Sequence, residues 1–287
     1  MKAVGVIGLG IMGSAMAGNL LRGGFKVHGF DVVAARRSEF QRAGGLPASS
    51  ASAVQAPVII TSLPSAEALH KVARQLKYKC IVLETSTLPI DDKLKARDIL
   101  AKKGITLLDC PLSGTGAQAK TKDLVVYASG DKKAFAKIKS ILPGFSRAHY
   151  YTGEFGNGSK MKFVANLMVA IHNVSAAEAF ALGMKAGLSP KAIYDVQANS
   201  AGSSRMFQVR GPMMVAGDYT DVTMSNQLWQ KDMKIIGEFA AGLGVATPLF
   251  NASAAIYNAA MAQGYAKQDT GAVCAVMERM SGLRRPK

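Results

Sequence analysis

The most constraining feature of this chain is a glycine-rich turn that joins an apolar run to a helical pattern. The apolar run ends at Gly8, and Gly10 and Gly13 follow it with the spacing G-x-G-x-x-G. Gly8 permits a sharp turn out of a buried strand, and Gly13 lets a helix lie against that strand. Gly10 has no side chain that would keep the backbone away from a pyrophosphate. Free N–H groups at the start of that helix attract phosphate groups. The stretch therefore predicts a strand, a turn and a helix that together hold a dinucleotide.

An acidic residue further along the chain supports a dinucleotide site. The helical pattern ends at a pair of glycines, and a second predicted strand leads into Asp31, about 20 residues beyond the glycine turn. The carboxylate of Asp31 would accept a hydrogen bond from a ribose 2′-hydroxyl and repel a 2′-phosphate, which favours NAD. Arg36 and Arg37 follow closely and keep NADP open as the alternative. A plain βαβ unit with glycine turns is the other interpretation of this stretch.

Composition and charge narrow the classes of function. The 287 residues suffice for two domains, and 49% hydrophobic with 19% charged residues is typical of a soluble globular protein. The formal net charge of +16 permits nucleic-acid binding. The basic residues are dispersed, however, and no stripe of interleaved aromatic residues accompanies them. We therefore expect no nucleic-acid partner and interpret the charge as a basic surface that attracts anionic ligands.

Targeting and redox signals favour the cytoplasm. The first predicted strand begins within a few residues of the start, so we expect no signal or transit peptide. Cys80, Cys110 and Cys274 are odd in number and form no C-x-x-C pair, as in a reduced compartment. The four histidines show no metal-binding spacing, and we expect no metal. Polar residues interrupt the apolar stretch 163–188, which predicts a buried helix and no membrane span.

The pattern of strands and helices changes near residue 155. Before it, predicted strands alternate with helices, which is typical of a parallel sheet covered on both faces. The sequence thus predicts an α/β Rossmann domain with a doubly wound, mostly parallel sheet over residues 1–160, and an all-α substrate and dimerisation domain over residues 161–287. Beyond the first two strands, we expect strands at 57–63, 80–84, 105–109, 124–129 and 148–151, with the last two completing the sheet. In the second domain we expect helices at 161–187, 191–199, 224–242 and 249–263, and one more at the C-terminus.

The polar and glycine-rich turns of the first domain follow predicted strands. Carboxyl ends of parallel strands meet at one edge, where open α/β sheets bind their ligands. We therefore expect a single site at this edge. The turns concerned are Gly8-Leu9-Gly10, Asp31, Leu63-Pro64, Ser86-Thr87 and Pro111-Leu112-Ser113-Gly114.

Two polar residues at the start of the long predicted helix are candidates for chemistry. Lys162 and Asn166 are spaced i, i+4 and so share one face of a helix. A desolvated lysine can lose its proton near neutral pH and then act as a general base on a hydroxyl group. The spacing alone favours a solvated lysine near a helix start, so a chemical role depends on further motifs.

Four motifs occur in order along essentially the whole chain. They are residues 8–20, residues 109–114, residues 156–158 with Lys162 and Asn166, and the pair Lys231-Asp232. Together they resemble the cofactor, substrate, catalytic and nicotinamide-proximal motifs of the β-hydroxyacid dehydrogenases, the family of 3-hydroxyisobutyrate dehydrogenase and tartronate semialdehyde reductase. The resemblance implies hydride transfer between NAD, or NADP as the alternative, and a small anionic hydroxy acid. Met and Ala recur on helix faces of the second domain, and we expect a homodimer or homotetramer.

The resemblance also implies a role for named residues. Lys162 would be the general acid and base, and Asn166 would help to hold the substrate. Ser113 and Gly114 would bind the substrate carboxylate, and Thr115 would line the substrate wall. The implied cofactor-binding residues are Gly8, Leu9, Gly10, Ile11, Met12, Gly13, Asp31, Leu63, Pro64, Thr87 and Lys231.

One departure from the family motif leaves other functions open. Thr115 stands where the family has the last glycine of Ser-Gly-Gly, and it adds bulk and a hydroxyl group at the substrate wall. A reductase of a related carbonyl or imine substrate is therefore one alternative. A non-catalytic dinucleotide-binding module is another, but the presence of Lys162 favours the enzyme.

Overall fold

The protein consists of two compact units. The structure, a computed structural model, describes residues 3–285. The first unit is Met1–Lys162 and the second is Phe163–Lys287. The roles that the sequence analysis gives to residues 1–160 and 161–287 stay predictions.

The first unit begins with alternating strands and helices. The strands form a six-stranded sheet in which every neighbouring pair is parallel. The elements are β1 (Ala3–Ile7), α1 (Ile11–Arg22), β2 (Lys26–Phe30), α2 (Ala34–Arg42), β3 (Leu46–Pro47), β4 (Val58–Thr61), α3 (Ala66–Gln75), β5 (Ile81–Glu84), α4 (Ile90–Ala101) and β6 (Thr106–Asp109). The spatial order β3-β2-β1-β4-β5-β6 reverses direction between β1 and β4, the point at which such sheets bind ligands.

Both faces of this sheet are buried, as a doubly wound fold requires. In β4, Val58 and Ile60 belong to an apolar cluster that also contains Met16 of α1. Between them, Ile59 belongs to a second cluster with Leu69 of α3. Successive side chains of a strand point to opposite faces, so a strand that is apolar throughout needs a covering layer on each side. The predicted Rossmann fold is confirmed.

The last strands of the first unit form a separate sheet, which corrects the prediction that residues 124–129 and 148–151 complete the first one. The elements are β7 (Leu112–Ser113), α5 (Gly116–Lys120), β8 (Val125–Ala128), α6 (Lys132–Ile138) and β9 (Ala148–Tyr151). β8 pairs antiparallel with β7 and parallel with β9. A strand has two hydrogen-bonding edges, and at Val125 and Val126 these partners occupy both edges of β8. Only an isolated bridge between Asp109 and Ser129 joins the two sheets among the described residues.

The regular elements of the second unit are all helices within its described residues, which confirms the predicted class. Its helices are α7 (Asn157–Lys185, which begins in the first unit), α8 (Pro190–Gln197), α9 (Arg205–Ala216), α10 (Asn226–Gly242), α11 (Pro248–Ala262) and α12 (Val273–Met280). The sequence analysis missed α9, whose interior contains Gly211 and Pro212, two residues that normally disfavour a helix. Ser204 starts this helix by accepting a hydrogen bond from Phe207 N, as a helix cap does.

The helix α7 is long and apolar enough to cross a membrane by composition alone. It has 29 residues, and its most apolar window has a mean hydropathy of 1.4, with 39% of that window buried inside the fold. Core helices of soluble proteins meet the same criterion. The first turn of α7 is hydrogen-bonded to the carboxylate of Asp109 and the hydroxyl of Ser129, so we interpret α7 as a core helix.

Candidate active site

The turns that the sequence analysis singled out lie at one edge of the parallel sheet. Because β1, β2, β4, β5 and β6 run in the same direction, their carboxyl ends share an edge. This part of the prediction is confirmed. The turns at this edge are residues 8–10 after β1, Asp31 after β2, Leu63-Pro64 after β4, Ser86-Thr87 after β5 and Cys110-Pro111 after β6. Leu112 and Ser113, which the sequence analysis placed in the last turn, form β7 of the second sheet, and Gly114 follows them.

Two of the three glycines in the turn pack closely against backbone atoms, whereas the third faces open space. Gly8 has a φ of +92°, and a Cβ atom there would lie 2.1 Å from the Ser62 carbonyl oxygen. A Cβ at Gly13 would lie 1.8 Å from the Gly8 carbonyl oxygen, so helix and strand touch at that point. At Gly10 the nearest atom would be Arg36 Nη1 at 3.9 Å. The space above Gly10 and the absence of a side-chain cap or first-turn acid on α1 fit a pyrophosphate at this helix start.

Asp31 is oriented by backbone donors. Its Oδ2 accepts from Leu9 N and its Oδ1 from Val33 N, each at 2.8 Å. The carboxylate is 5% exposed, and Arg36 Nη1 lies 3.4 Å from Oδ2. A carboxylate oxygen can accept more than one hydrogen bond, so Asp31 can still receive a ribose hydroxyl. Asp31 is therefore a hydrogen-bond acceptor of fixed orientation, with the guanidinium of Arg36 beside it.

The turns after β4 and β5 are bonded to each other. Leu63 N donates to Ser86 Oγ at 2.8 Å, and Ser86 N donates to Glu84 Oε1 at 2.9 Å. Pro64 is exposed and Thr87 half-buried, next to these bonds along the chain. The predicted cofactor-lining residues thus lie on two turns that are held together as a unit.

The substrate motif continues directly into a short helix. Ser113 ends β7, and Gly114 follows with a φ of +134°. Thr115 Oγ1 accepts from Gln118 N, and Thr115 N donates to Gln118 Oε1, so this residue caps α5. Ser113, Gly114 and Thr115 are each half-buried. The hydroxyl of Thr115, which the sequence analysis assigned to the substrate wall, is thus engaged by its own helix.

The start of α7 is bonded to the end of β6. Asp109 accepts from Ser159 N at 2.7 Å and from Ser159 Oγ at 2.8 Å. Gly158 N donates to Ser129 Oγ at 3.0 Å, and a Cβ atom at Gly158 would lie 2.3 Å from the Tyr127 carbonyl oxygen. A residue larger than glycine would push the helix away from the strands. This close packing explains why α7 begins at Asn157, four residues before the predicted start.

Lys162 lies three residues beyond Ser159 and is buried, with 9% of its surface exposed. Lys162 is therefore not the solvated lysine that its spacing alone favoured. Asn166, at 4% exposure, donates through Nδ2 to Asp232 Oδ2 at 2.9 Å. Asp232 in turn lies 3.3 Å from the ammonium of Lys231. In the second unit, Asn166 and the Lys231-Asp232 motif are thus connected through a carboxylate that the sequence analysis named without a role.

A buried charged cluster at the end of β5 and β6 escaped the sequence analysis. Lys93 Nζ lies 2.6 Å from Glu84 Oε2 and 2.8 Å from Asp109 Oδ1, and all three side chains are fully buried. Burial opposes the charge of the amine, but Asp109 and Glu84 raise the pKa of Lys93 above its ordinary value. Lys93 is therefore an ammonium at neutral pH. Its spacing of i, i+3 and i+7 with the buried Ala96 and Leu100 of α4 was the available signal.

Comparisons with known proteins decide the family. Residues 3–153 match the family model described as the NAD binding domain of 6-phosphogluconate dehydrogenase. Residues 156–277 match the one described as NAD-binding of NADP-dependent 3-hydroxyisobutyrate dehydrogenase. The chain belongs to the β-hydroxyacid dehydrogenase family.

Relatives with known names agree with this assignment. The chain is 32% identical to an L-threonate dehydrogenase of Cupriavidus necator, over 95% of each chain. It is 30% identical to a 2-(hydroxymethyl)glutarate dehydrogenase of Eubacterium barkeri, over 98% of this chain and 96% of the relative. The crystal structure of a 3-hydroxyisobutyrate dehydrogenase from Salmonella typhimurium is similar with a TM-score of 0.87 and 29% identity, over 96% of this chain and 100% of that one.

The predicted class of activity is thereby confirmed. The protein is an NAD(P)-dependent oxidoreductase of a hydroxy acid that acts on a CH–OH group. A Streptomyces aurantiacus imine reductase is also similar, with a TM-score of 0.64 and 21% identity, and this likeness is evidence for the fold alone.

Proposed function

We propose that Lys162 is the general acid and base in the interconversion of a small hydroxy acid and its semialdehyde or keto form. One observation carries the proposal: Lys162 is buried, one helical turn beyond Ser159, which is bonded to Asp109 at the end of β6. That strand end belongs to the same sheet edge as the glycine turn. A buried amine is shielded from bulk water, so a substrate hydroxyl bound beside it can exchange its proton with the lysine directly.

The protein residues move one proton in each direction. NAD or NADP, when bound, supplies the group that accepts or donates hydride. During oxidation the neutral amine of Lys162 takes the hydroxyl proton of the substrate at Nζ. During reduction the ammonium returns a proton to the carbonyl oxygen. Such general acid-base catalysis contributes about 10²–10⁴-fold to a rate.

The substrate carboxylate is held by the motif that follows β6. Ser113 offers a hydroxyl and Gly114 a backbone N–H, which are suitable donors to an anion at a turn. Thr115 uses its hydroxyl to cap α5, so it contributes bulk to the substrate wall. Asn166 helps to hold the substrate, and its link to Asp232 fixes the orientation of its amide.

The cofactor occupies the turns at the sheet edge. N–H groups at the start of α1 would receive the pyrophosphate, Asp31 would accept from a ribose hydroxyl, and Leu63, Pro64 and Thr87 would line the site. The assignment of Lys231 to the cofactor stays a prediction from the family resemblance. The remaining contacts are those of Gly8, Leu9, Gly10, Ile11, Met12 and Gly13. NAD is preferred over NADP, because a 2′-phosphate would meet the carboxylate of Asp31.

L-Threonate is the first substrate to test. Three of the relatives that are 31–32% identical to this chain carry the name L-threonate dehydrogenase. The names of relatives at 30% identity supply 2-(hydroxymethyl)glutarate and L-serine as the next candidates. All three candidates share a carboxylate and a nearby hydroxyl, the two groups that the proposed site holds.

NADH formation with this panel, together with 3-hydroxyisobutyrate, glycerate and 3-hydroxypropionate, tests the proposal. We expect turnover of at least one acid, a loss of about 10²-fold or more in Lys162→Ala, and an unchanged rate in Lys160→Ala. Lys160 is a matched control, since it is an exposed lysine on the same helix turn and its ammonium donates to Asn157 Oδ1. Equal rates in the two variants would contradict the proposal.

We further propose a cytoplasmic homodimer or homotetramer that uses the helical unit. Met161, Val164 and Met168 on one face of α7 are 44%, 59% and 45% exposed, which is costly for apolar side chains in water. A second copy of the chain would cover them. Light scattering of the purified protein should give at least twice the mass of one chain, and a monomer at micromolar concentration would contradict this assignment.

A further inference from the structure

The buried cluster around Lys93 has no part in the chemistry proposed above. A buried ion pair is a weak source of stability, because desolvation offsets much of the attraction between its charges. The hydrogen bonds that the cluster makes are therefore a better guide to its role than its contribution to stability. They lead in two directions, toward the cofactor turns and toward α7.

Toward the cofactor turns, the cluster holds Ser86 from several sides. Lys93 Nζ donates to the Ser86 carbonyl oxygen at 2.7 Å, while Glu84 Oε1 accepts from Ser86 N at 2.9 Å. Ser86 Oγ then accepts from Leu63 N at 2.8 Å. The backbone of the turn after β5 and that of the turn after β4 are thus fixed by one buried ammonium and one buried carboxylate.

Toward α7, the cluster holds the first turn of the helix. Asp109 Oδ1 lies 2.8 Å from Lys93 Nζ and also accepts from Ser159 Oγ. Asp109 Oδ2 accepts from Ser159 N and from Ser129 Oγ, and Ser129 Oγ accepts from Gly158 N. An unbroken chain of hydrogen bonds therefore runs from Leu63 through Lys93 to the helix that carries Lys162.

The charges of the cluster explain why the helix start belongs to it. Glu84 and Asp109 bring two negative charges and Lys93 one positive charge, which leaves one negative charge in a dry site. The N-terminus of a helix carries about half a positive charge on its unbonded N–H groups. The N–H of Ser159 points at Asp109 and supplies this compensation. The N-terminus of α7 thus compensates the net negative charge of the cluster.

We propose that Lys93 and Asp109 are positioning residues that fix the first turn of α7 relative to the cofactor turns and so set the place of Lys162. The inference rests on the proposed role of Lys162. Misplacement of a catalytic group by about 1 Å can cost 10²-fold in rate. A cluster that merely stabilised the fold would leave the turnover of the folded enzyme unchanged.

Ser159→Ala is the gentlest test, because it removes one hydroxyl and keeps the N–H bond to Asp109. We expect kcat to fall about tenfold while KM for the dinucleotide changes less than twofold. Ser86→Ala should have the opposite effect: the KM for the dinucleotide should rise, and kcat should change little. Ser175→Ala is the matched control, since Ser175 is exposed on α7 and its hydroxyl donates to the His172 carbonyl oxygen of its own helix. A wild-type kcat in Ser159→Ala would overturn the proposal, and so would a wild-type dinucleotide KM in Ser86→Ala.

A double-variant cycle separates positioning from a general structural effect. In a Lys162→Ala background, Ser159→Ala should change the residual rate less than twofold, since the group to be positioned is gone. The same tenfold loss in both backgrounds would overturn the proposal. If Lys162→Ala alone keeps the wild-type kcat, the proposed function fails. If Lys162→Ala is impaired and Ser159→Ala is not, only the positioning role fails.

Lys93→Met tests the centre of the cluster. It should lower kcat and raise the dinucleotide KM together, whereas Lys95→Met, which alters a 68% exposed lysine on the same helix, should change neither. A folded Lys93→Met protein with wild-type constants would overturn the proposal. If Lys93→Met does not fold, the two serine variants decide the question.

Discussion

A buried ion pair in the second unit gives a prediction whose magnitude follows from its surroundings. Arg210 of α9 donates through Nε to Asp269 Oδ1 at 2.8 Å, and the two side chains are 2% and 0% exposed. Arg210→Met removes the countercharge and leaves a carboxylate in a dry site. Breaking a buried pair in this way typically costs about 3–5 kcal/mol.

The lower end of that range applies here. Asp269 keeps hydrogen bonds from Thr223 N, Met224 N and Gly271 N, at 2.9, 3.1 and 2.9 Å. Methionine also fills most of the volume that the arginine stem occupied. We therefore expect Arg210→Met to lower the free energy of unfolding by about 3 kcal/mol at pH 7.

The pH dependence of this loss has a definite sign. Burial by itself would raise the pKa of Asp269, but Arg210 and the hydrogen bonds hold it below its ordinary value. A carboxylate with a lowered folded pKa stabilises the fold fully above its unfolded pKa, about 3.9, and loses this contribution as the pH falls through the folded pKa. The difference between wild type and variant is therefore largest near neutral pH and shrinks as the pH falls through the folded pKa of Asp269 in the variant and then in the wild type, because protonation removes the uncompensated charge.

Urea unfolding followed by tryptophan fluorescence measures this effect. The chain has one tryptophan, and Trp229 is 3% exposed in the second unit, so the signal reports on the unit that contains the pair. Arg279→Met is the control, since Arg279 is exposed and contacts the ring of Tyr265, and it should cost about 1 kcal/mol or less. A loss below about 1 kcal/mol in Arg210→Met, or one that grows as the pH falls, would refute the reasoning.

Three further predictions concern the candidate active site. Gly13→Ala should abolish NADH binding, measured by fluorescence, because its Cβ would lie 1.8 Å from the Gly8 carbonyl oxygen; binding within twofold of wild type would contradict the close contact. Asp31→Asn should lower the ratio of kcat/KM for NAD to that for NADP by about tenfold or more, and an unchanged ratio would remove Asp31 from cofactor selection. Thr115→Ser keeps the cap of α5, so it should alter KM for the hydroxy acid at an unchanged melting temperature; an unchanged KM would place Thr115 away from the substrate.

Much of the first unit could be predicted because local signals and the fold agree there. The glycine turn, the apolar run of β4 and the acid after β2 each specify their own conformation through short-range physics. The parallel arrangement then brings the turns to one edge without further information. Fold class and class of activity therefore followed from motifs that are close together in the sequence.

The parts that were missed depend on contacts between distant residues. The separate second sheet follows from the pairing of Leu112 with Val126, which no local pattern of β8 reveals. The helix α9 forms despite Gly211 and Pro212, because packing overrides propensity. Lys93 looks like a solvent-facing lysine until Glu84 and Asp109 are brought around it by two strands.

The most direct test of the account is kcat of Lys162→Ala measured together with its affinity for NADH. If Lys162 moves the proton and the rest of the site is intact, kcat falls about 10²–10⁴-fold, while the Kd for NADH by fluorescence titration stays within twofold of wild type. A variant that binds NADH normally and keeps kcat within a few fold of wild type would contradict the central claim that Lys162 is the acid and base of this enzyme.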